Sequence, residues 1–400
     1  MTSETLHLAS APATRRSQAL HLVCFGLAVA NIAYLVGAWQ GRIIDASGRP
    51  LPSDFLNVYA AGRLVIDGHA AAAYDWGVLR AAESAALGHA PATYFGWHYP
   101  PPFLTVAALL ASLPYAAAFV AWLAATLPLY LVTIRAIVRD RIGWMIAAAF
   151  PCLMPNIIPG QNGFLTASLI GGTLVLLERH PLLAGGCLGL LTYKPQFGIL
   201  FPLVLAAGGH WRAIGAAAAT AAALALASIA LFGVMPWSAF FHWLPLTSQA
   251  LFAQNVNHAD WDKFQSLLAL VRMLGGDATL AWALQLALAA ITAIVLCAMW
   301  RAQRIAFELK AAATAVGVLL ATPYVYLYDL SVLAVAAAFL LRGALAAGFV
   351  RHEAIGLAAI LGLIFVGPFL GLPVGLTAAL LTAGLIARRV SLAGAAARFA

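Results

Sequence analysis

Apolar runs about as long as a membrane-spanning helix repeat along this chain and limit the folds that it can adopt. A bilayer core is crossed by about 20 consecutive apolar residues, and such runs recur along most of the chain. Of the 400 residues, 63% are hydrophobic and only 9% are charged, whereas an ordinary soluble domain has roughly 25% charged residues. Because a soluble surface must carry many polar groups, the sequence predicts an all-α polytopic membrane protein that contacts the lipid bilayer.

The apolar runs thread into about twelve transmembrane spans with both chain ends inside. Basic residues predominate at the predicted inner turns, as the positive-inside rule requires. Residues 101–113 are too short to span and begin with prolines, so we expect a re-entrant or interfacial helix there, and another short helix near 267–274. The predicted spans are 19–39, 116–137, 142–158, 164–177, a pair split near Lys194, 213–232, 280–300, 310–322, 330–341, 354–366 and 373–387.

This threading leaves two long outer loops, residues 40–115 and 233–264, within one transmembrane domain that covers residues 1–400. The first loop interrupts a core of about seven spans over residues 19–232. The second is rich in aromatic residues, which suit an interfacial helix, and residues 265–400 form variable C-terminal helices.

The charged residues and cysteines exclude several functions. The net charge of +8 comes from basic residues scattered between apolar runs, without the stripe and interleaved aromatics of a nucleic-acid interface. The four cysteines lie in apolar runs and form no CxxC pair, so neither a zinc site nor a disulfide framework is predicted. No cluster of metal ligands is obvious. The sequence therefore predicts no metal site and no certain cofactor, and nothing supports a divalent metal.

Asp54 is the first candidate for chemistry because it begins a polar stretch of the first outer loop. It lies in Ser53-Asp54-Phe55, and on a following helix Tyr59 and Arg63 would share one face. Asp54 could cap that helix, a common use of Asp. A catalytic role requires instead that Asp54 face a cavity shared with Lys194.

Lys194 is the second candidate because it lies midway through an apolar run that covers residues 182–205. Pro195 follows it and should break the helix, which frees backbone groups that must find partners in lipid. One interpretation is a lysine whose ammonium reaches the interface. The other is a cation that holds an anion at membrane depth, such as a lipid phosphate.

The remaining polar candidates share a predicted position on the outer side of the membrane. Each has a simpler structural explanation, since amides serve turns, Asp caps helices and an interfacial histidine is often structural. Their gathering on one face nevertheless favours a membrane-embedded site. They are His98, Tyr99, Gln161, Asn162, Gln196, Gln265 and Asp329.

Several motifs in residues 50–210 carry a resemblance to a known family. They are Ser53-Asp54-Phe55, Tyr59-Ala60-Ala61-Gly62, Tyr74-Asp75, Tyr99-Pro100-Pro101-Pro102-Phe103, Leu113-Pro114-Tyr115, Gly160-Gln161-Asn162 and Lys194-Pro195-Gln196. In order and spacing, the chain resembles a bacterial member of glycosyltransferase family 87, the polyprenyl-phosphate-mannose-dependent mannosyltransferase-like proteins with the GT-C fold. Some relatives carry a histidine after the position of Thr322-Pro323, where this chain has none.

The resemblance implies a membrane glycosyltransferase that moves one hexose, with mannose foremost, from a polyprenyl-phosphate donor to a lipid or glycan acceptor. It implies Asp54 as catalytic base. It implies Lys194 as donor-phosphate ligand, aided by Gln196, Gln161 and Asn162. It also implies a site that faces outward from the bacterial cytoplasmic membrane.

Two other functions stay open from the sequence. A sugar or lipid transporter would explain the broken helix at Lys194, although many transporters carry paired breaks in inverted repeats and no second break is seen. A ligase or polymerase of lipid-linked glycans would use a larger donor than a single sugar.

Overall fold

A computed structural model describes residues 13–38, 43–45, 49–51, 53–90, 96–254, 263–367 and 373–399. Residue 39 of the predicted first span and the predicted outer-loop residues 40–42, 46–48, 52, 91–95 and 255–262 therefore lie outside the described chain. Within these ranges the protein is all-helical and has no strand. The helices are α1 Ala13–Ala38, α2 Phe55–Ile66, α3 Trp76–Leu87, α4 Phe103–Ala111, α5 Tyr115–Val138, α6 Ile142–Ala149, α7 Leu153–Ile157, α8 Gly163–Leu176, α9 Pro181–Leu190, α10 Phe201–Ala207, α11 Trp211–Phe232, α12 Met235–Gln254, α13 Leu267–Met273, α14 Ala278–Arg301, α15 Phe307–Ala321, α16 Ser331–Ala347, α17 Glu353–Val366 and α18 Val374–Phe399.

The structure confirms the prediction of a helical protein with membrane-spanning segments. Five segments of the described chain are long and apolar enough to cross a bilayer: Tyr115–Val138, Trp211–Phe232, Ala278–Arg301, Leu327–Ala347 and Val374–Ala393. Other predicted spans correspond to apolar helices of 10–17 residues, such as α8, α9 and α17. The total of about twelve spans stays a prediction.

Two breaks in the helices bear on the predicted spans. The predicted span 142–158 is not one continuous helix, because α6 ends at Ala149 and α7 begins only at Leu153. Pro151 lies between them and has no N–H to continue a helix. The predicted break around Lys194 is confirmed, since two short 3-10 turns, Leu191–Tyr193 and Pro195–Phe197, separate α9 from α10.

The core consists of α5, α8, α15 and α16, which pack against one another. The segment Leu327–Ala347 is 67% buried inside the protein, whereas Trp211–Phe232 is only 6% buried. The outer helices α1, α11 and α14 instead expose large apolar side chains, including Phe25, Leu226 and Ile294. Lipid would cover these faces, so the burial pattern fits a bundle with a packed centre and a lipid-facing rim.

Small residues allow α9 and α11 to approach closely. A Cβ on Gly185 would lie 2.4 Å from the carbonyl oxygen of Ala213, and one on Gly189 would lie 2.4 Å from the Cβ of Thr220. The two glycines are four residues apart, so they share one helix face. This is the small-residue packing that lets transmembrane backbones touch.

Substituting Gly185 with alanine should destabilise the fold, whereas the neighbouring Gly186→Ala variant should not. The Gly185 Cβ would overlap backbone atoms of α11, and overpacking of this kind costs about 1–3 kcal/mol. A Cβ on Gly186 meets no atom within 4 Å, and alanine is the better helix former. Thermal unfolding of the two purified variants checks this expectation. Equal stability of Gly185→Ala and the wild-type protein would contradict the close contact.

The described part of the predicted first outer loop folds onto one end of the bundle through α2, α3 and α4. A Cβ on Gly62 of α2 would lie only 2.1 Å from the carbonyl oxygen of Ala107 in α4. The backbones of these two helices are therefore in direct contact at Gly62. The predicted interfacial helix after Pro102 corresponds to α4. The aromatic helix α12 packs against the same loop through Tyr74 and Phe240, whose ring centroids are 5.9 Å apart.

Candidate active site

Asp54 immediately precedes α2, and its carboxylate does not cap that helix. Its backbone is already helical and its side chain makes no capping hydrogen bond. The half-buried carboxylate instead accepts a hydrogen bond from the Gln161 side-chain amide, with 2.6 Å between Nε2 and Oδ2. The backbone N–H of Phe55 donates to the carbonyl of Pro159 at 3.0 Å. The start of α2 is therefore held against the turn before α8, with the carboxylate directed at Gln161.

The turn that carries Gln161 is tightly fixed. Gly160 has a φ of +69°, a left-handed conformation that glycine adopts most readily. A Cβ at this position would also lie 2.7 Å from the Phe119 ring, so a larger residue would clash with it. The backbone N–H of Gln161 donates to the carbonyl of Asn156 at 2.8 Å. The backbone carbonyl of Gln161 accepts from the indole N–H of Trp122 at 3.2 Å. The side chain that holds the candidate base is thus itself positioned by buried neighbours.

Asn162 joins this turn to the segment before α4 and to the broken helix. Its side-chain amide donates to the Tyr99 hydroxyl at 2.5 Å, and its backbone carbonyl accepts from the Tyr193 hydroxyl at 3.2 Å. Tyr193 also shares a 2.6 Å hydrogen bond with the Thr166 hydroxyl. Three predicted motifs, distant in the sequence, therefore meet in one hydrogen-bonded group.

Lys194 is half of a buried ion pair. Its Nζ donates to Oδ1 of Asp329 at 2.7 Å, and the two side chains are 7% and 1% exposed. The second Asp329 oxygen accepts from the backbone N–H of Tyr326 at 3.1 Å. The Lys194 ammonium lies 4.8 Å from the centroid of the Tyr328 ring, a cation–π distance. The side chain is therefore buried inside the protein, where it joins the helix break to the turn before α16.

Of the other predicted residues, Gln265 has a structural contact and His98 does not. The Gln265 side-chain oxygen accepts from the backbone N–H of Gly375 at 2.8 Å, which fastens the start of α18. The carbonyl of Gln196 accepts from the Thr322 hydroxyl at 3.2 Å, beside the Lys194 break. His98 makes no hydrogen bond within the described chain, and the surrounding protein lowers the pKa of its imidazole to about 4 by desolvation.

The charges of the two carboxylates, Asp54 and Asp329, both act on the Tyr99 phenol. Burial raises the pKa of the Tyr99 phenol, and the nearby charges of Asp329 and Asp54 raise it further. Burial also raises the pKa of Asp54, while the Gln161 hydrogen bond and the positive charge of Lys263 act in the opposite direction. The hydrogen bonds of the adjacent residues Gln161 and Asn162 therefore connect Asp54, the Tyr99 hydroxyl and the helix break at Lys194.

Asn156 is a residue of this site that the sequence analysis missed. Its buried amide donates to the carbonyls of Cys152 and Tyr328 at 2.8 and 3.1 Å and to the Ser331 hydroxyl at 2.9 Å. It therefore couples α7 to the turn that carries Asp329. The available signal was a polar residue inside an apolar run, but Asn156 lay within the predicted span 142–158 and was not singled out as a candidate.

The comparison with known families decides the class of the protein. The model of glycosyltransferase family 87 matches residues 97–323, more than half of the 400 residues. The chain belongs to glycosyltransferase family 87. This membership makes it a membrane glycosyltransferase. No curated protein and no solved structure matches the chain.

The family 87 match differs in extent from the motifs that suggested it. It continues to residue 323, well beyond the motif region 50–210, and it includes Gln161, Asn162 and Lys194. Asp54 and Asp329 lie outside the matched residues. In the described chain no group of three or more His, Cys, Asp or Glu side chains could hold a metal ion.

Proposed function

We propose that this family 87 protein transfers one hexose, with mannose foremost, from a polyprenyl-phosphate donor to a hydroxyl of a lipid or glycan acceptor. The reaction would take place at the outer face of a bacterial cytoplasmic membrane. One observation carries the proposal: the half-buried Asp54 carboxylate is held by Gln161 rather than used as a helix cap. The donor, the sugar and the side of the membrane rest on the family resemblance and the predicted threading.

In the proposed step, the acceptor oxygen attacks the anomeric carbon of the donor sugar and forms the new glycosidic bond. The bond between that carbon and the phosphate oxygen breaks, and its electron pair leaves with the polyprenyl phosphate. Asp54 takes the proton of the acceptor hydroxyl as general base, a role that suits a carboxylate within hydrogen-bond reach. The raised pKa of Asp54 makes the carboxylate a stronger base than an exposed aspartate.

Lys194 would take part in phosphate binding without leaving its ion pair. An ammonium group has three N–H donors, and the bond to Asp329 uses one of them. A second can donate to a phosphate oxygen, and preorganised donors of this kind stabilise the charge of a departing group. Asn162, Gln196, His98 and Tyr99 would supply further polar contacts to the sugar or the phosphate.

The pH dependence of transfer should change when Gln161 is replaced by alanine. A general base acts when deprotonated, so the rate falls as the pH drops through the pKa of Asp54. The Gln161 hydrogen bond lowers that pKa, so its removal should move the acid limb of the kcat/KM profile to higher pH. A pH series on the wild-type protein and Gln161→Ala measures this shift. An acid limb at the same pH in both proteins would contradict the assignment of the limb to Asp54.

The proposed function is tested by supplying proteoliposomes with labelled polyprenyl-phosphate mannose and candidate acceptors. We expect a product heavier than the acceptor by one hexose, released polyprenyl phosphate, and no product from a nucleotide sugar. Movement of the labelled lipid across the membrane without product would favour the transporter. A product extended by several sugars would favour the polymerase or ligase.

A further inference from the structure

We propose that the Tyr99 hydroxyl and the Asn162 side-chain amide together recognise one hydroxyl group of the transferred hexose and so determine which sugar the protein accepts. Tyr99 donates a hydrogen bond to the oxygen of that hydroxyl, and the side-chain oxygen of Asn162 accepts one from its O–H. The inference rests on the proposed function and deepens it, because it assigns the two residues to the sugar rather than to the phosphate.

The side chain of Asn162 has an unused hydrogen-bond acceptor in a buried position. The residue is 3% exposed, and it precedes α8 without capping that helix through its side chain. Its Nδ2 donates to the Tyr99 hydroxyl at 2.5 Å, whereas its Oδ1 is buried and has no hydrogen-bond partner within the described chain. Because an unsatisfied buried acceptor costs free energy, a ligand that brings a hydroxyl to this oxygen binds more tightly.

The Tyr99 hydroxyl has an unused hydrogen-bond donor beside that acceptor. A phenol donates through its O–H and accepts through its oxygen, and the bond from Asn162 occupies the oxygen. The Tyr99 O–H donates to no group within the described chain. Asn162 is buried, whereas Tyr99 is half-buried, so a hexose reaches the pair from the Tyr99 side, with the small side-chain shift that is common when a partner binds.

One donor beside one acceptor matches a sugar hydroxyl better than a phosphate. A hydroxyl accepts a hydrogen bond through its oxygen and donates one through its O–H, so it satisfies Tyr99 and Asn162 together. The phosphodiester of the donor has no proton to give, and its oxygens would leave the Asn162 oxygen unpaired. The pair therefore favours the hexose, while the Lys194 ammonium offers its N–H donors to the phosphate.

Hydrogen bonds hold the pair next to the candidate base. The Tyr74 hydroxyl donates to the backbone carbonyl of Tyr99 at 3.0 Å, which fixes the chain that carries the phenol. Asn162 directly follows Gln161, whose side chain donates to the Asp54 carboxylate at 2.6 Å. A hexose bound by Tyr99 and Asn162 therefore lies beside the group that takes the acceptor proton in the proposed reaction.

The test uses derivatives of polyprenyl-phosphate mannose that each lack one hydroxyl of the hexose, and it measures kcat/KM for transfer by the full-length protein in proteoliposomes. In the wild-type protein we expect the loss of one particular hydroxyl to lower kcat/KM at least about a hundredfold, because a site built to hydrogen-bond a hydroxyl strongly rejects a substrate that lacks it. Tyr99→Phe keeps the ring and should reduce that penalty about fivefold or more, as expected for two groups in contact. The penalties for the other hydroxyls should be equal in both proteins.

Asn162→Leu gives a second, independent measurement, and Tyr59→Phe is the matched control. Leucine has a volume similar to that of asparagine but no acceptor, so Asn162→Leu should reduce the penalty for the same hydroxyl. The Tyr59 hydroxyl, in α2, already donates to the backbone carbonyl of Leu113 at 3.2 Å. Tyr59→Phe should therefore leave every penalty within about twofold of the wild-type value, as expected for groups that do not interact. A general folding defect would lower kcat/KM for all donors alike and leave the penalties unchanged.

The outcomes separate this inference from the proposed function. If hexose is transferred but neither Tyr99→Phe nor Asn162→Leu changes any penalty, the pair does not recognise a sugar hydroxyl, and the proposed function still stands. If the wild-type protein transfers no hexose, competition with labelled polyprenyl phosphate gives the affinity for the same donors. A penalty in affinity that Tyr99→Phe reduces would then keep the sugar site and remove the transferase. Weaker binding of polyprenyl phosphate itself, with unchanged penalties, would assign the pair to the phosphate and overturn the inference.

Discussion

Asp54→Asn is expected to lower the rate of hexose transfer by about 10²–10⁴-fold, the usual contribution of a general base. Asparagine has nearly the same shape as aspartate and can still bond to the Gln161 side chain, but it cannot accept the proton of the acceptor hydroxyl. The fold and the affinity for polyprenyl phosphate should therefore change little. Single-turnover transfer from labelled polyprenyl-phosphate mannose measures the chemical step directly.

Asp75→Asn provides the control for this substitution. Asp75 immediately precedes α3 in the same loop, and its side chain caps the helix by accepting from the backbone N–H groups of Gly77 and Val78 at 2.9 and 3.0 Å. Asparagine is an equally good cap, so Asp75→Asn should transfer at the wild-type rate. A folded Asp54→Asn protein with the wild-type rate would remove Asp54 from the mechanism.

Breaking the Lys194–Asp329 pair should have the largest effect on stability. Removing one partner leaves an uncompensated charge in a site where the side chains are 7% and 1% exposed, which costs about 3–5 kcal/mol. We expect Lys194→Met and Asp329→Leu each to lower the unfolding temperature sharply in detergent. Either single variant with wild-type stability would contradict the buried pair.

The double variant Lys194→Met, Asp329→Leu separates stability from donor binding. Replacing both charges with apolar side chains is often neutral or stabilising, so the double variant should regain most of the lost stability. Its donor KM should stay raised, because the Lys194 N–H groups are gone. Recovery of both stability and donor KM would mean that the pair is a purely structural link and that Lys194 does not bind phosphate.

The helices and the main break could be predicted from local sequence, but the partners of the key side chains could not. Hydropathy located most of the apolar helices, and Pro195 marked the break because its ring cannot continue a helix. Asp54 was ambiguous in the sequence because capping and catalysis use the same residue type at the same position. Its partner Gln161 lies 107 residues away, so only the folded chain could decide that Asp54 does not cap α2.

The same limit applies to Lys194, whose partner Asp329 is 135 residues away. The residues around Lys194 in the sequence predicted a lone cation at membrane depth. The structure adds the neighbouring carboxylate of Asp329, which no local sequence pattern paired with Lys194. Averaged hydropathy also concealed the break at Pro151 and the polar Asn156 within one apolar run. Local patterns therefore predicted the elements and the candidate residues, whereas the contacts among them depended on tertiary packing.

An experimental structure with a polyprenyl-phosphate sugar bound would show whether Asp54 and Lys194 face the same ligand. We predict the phosphate beside the Lys194 break, the sugar between that phosphate and the Asp54 carboxylate, and the prenyl chain along the apolar faces of the bundle. A headgroup bound at the opposite end, near the Arg342–Glu308 pair at 3.0 Å, would contradict it.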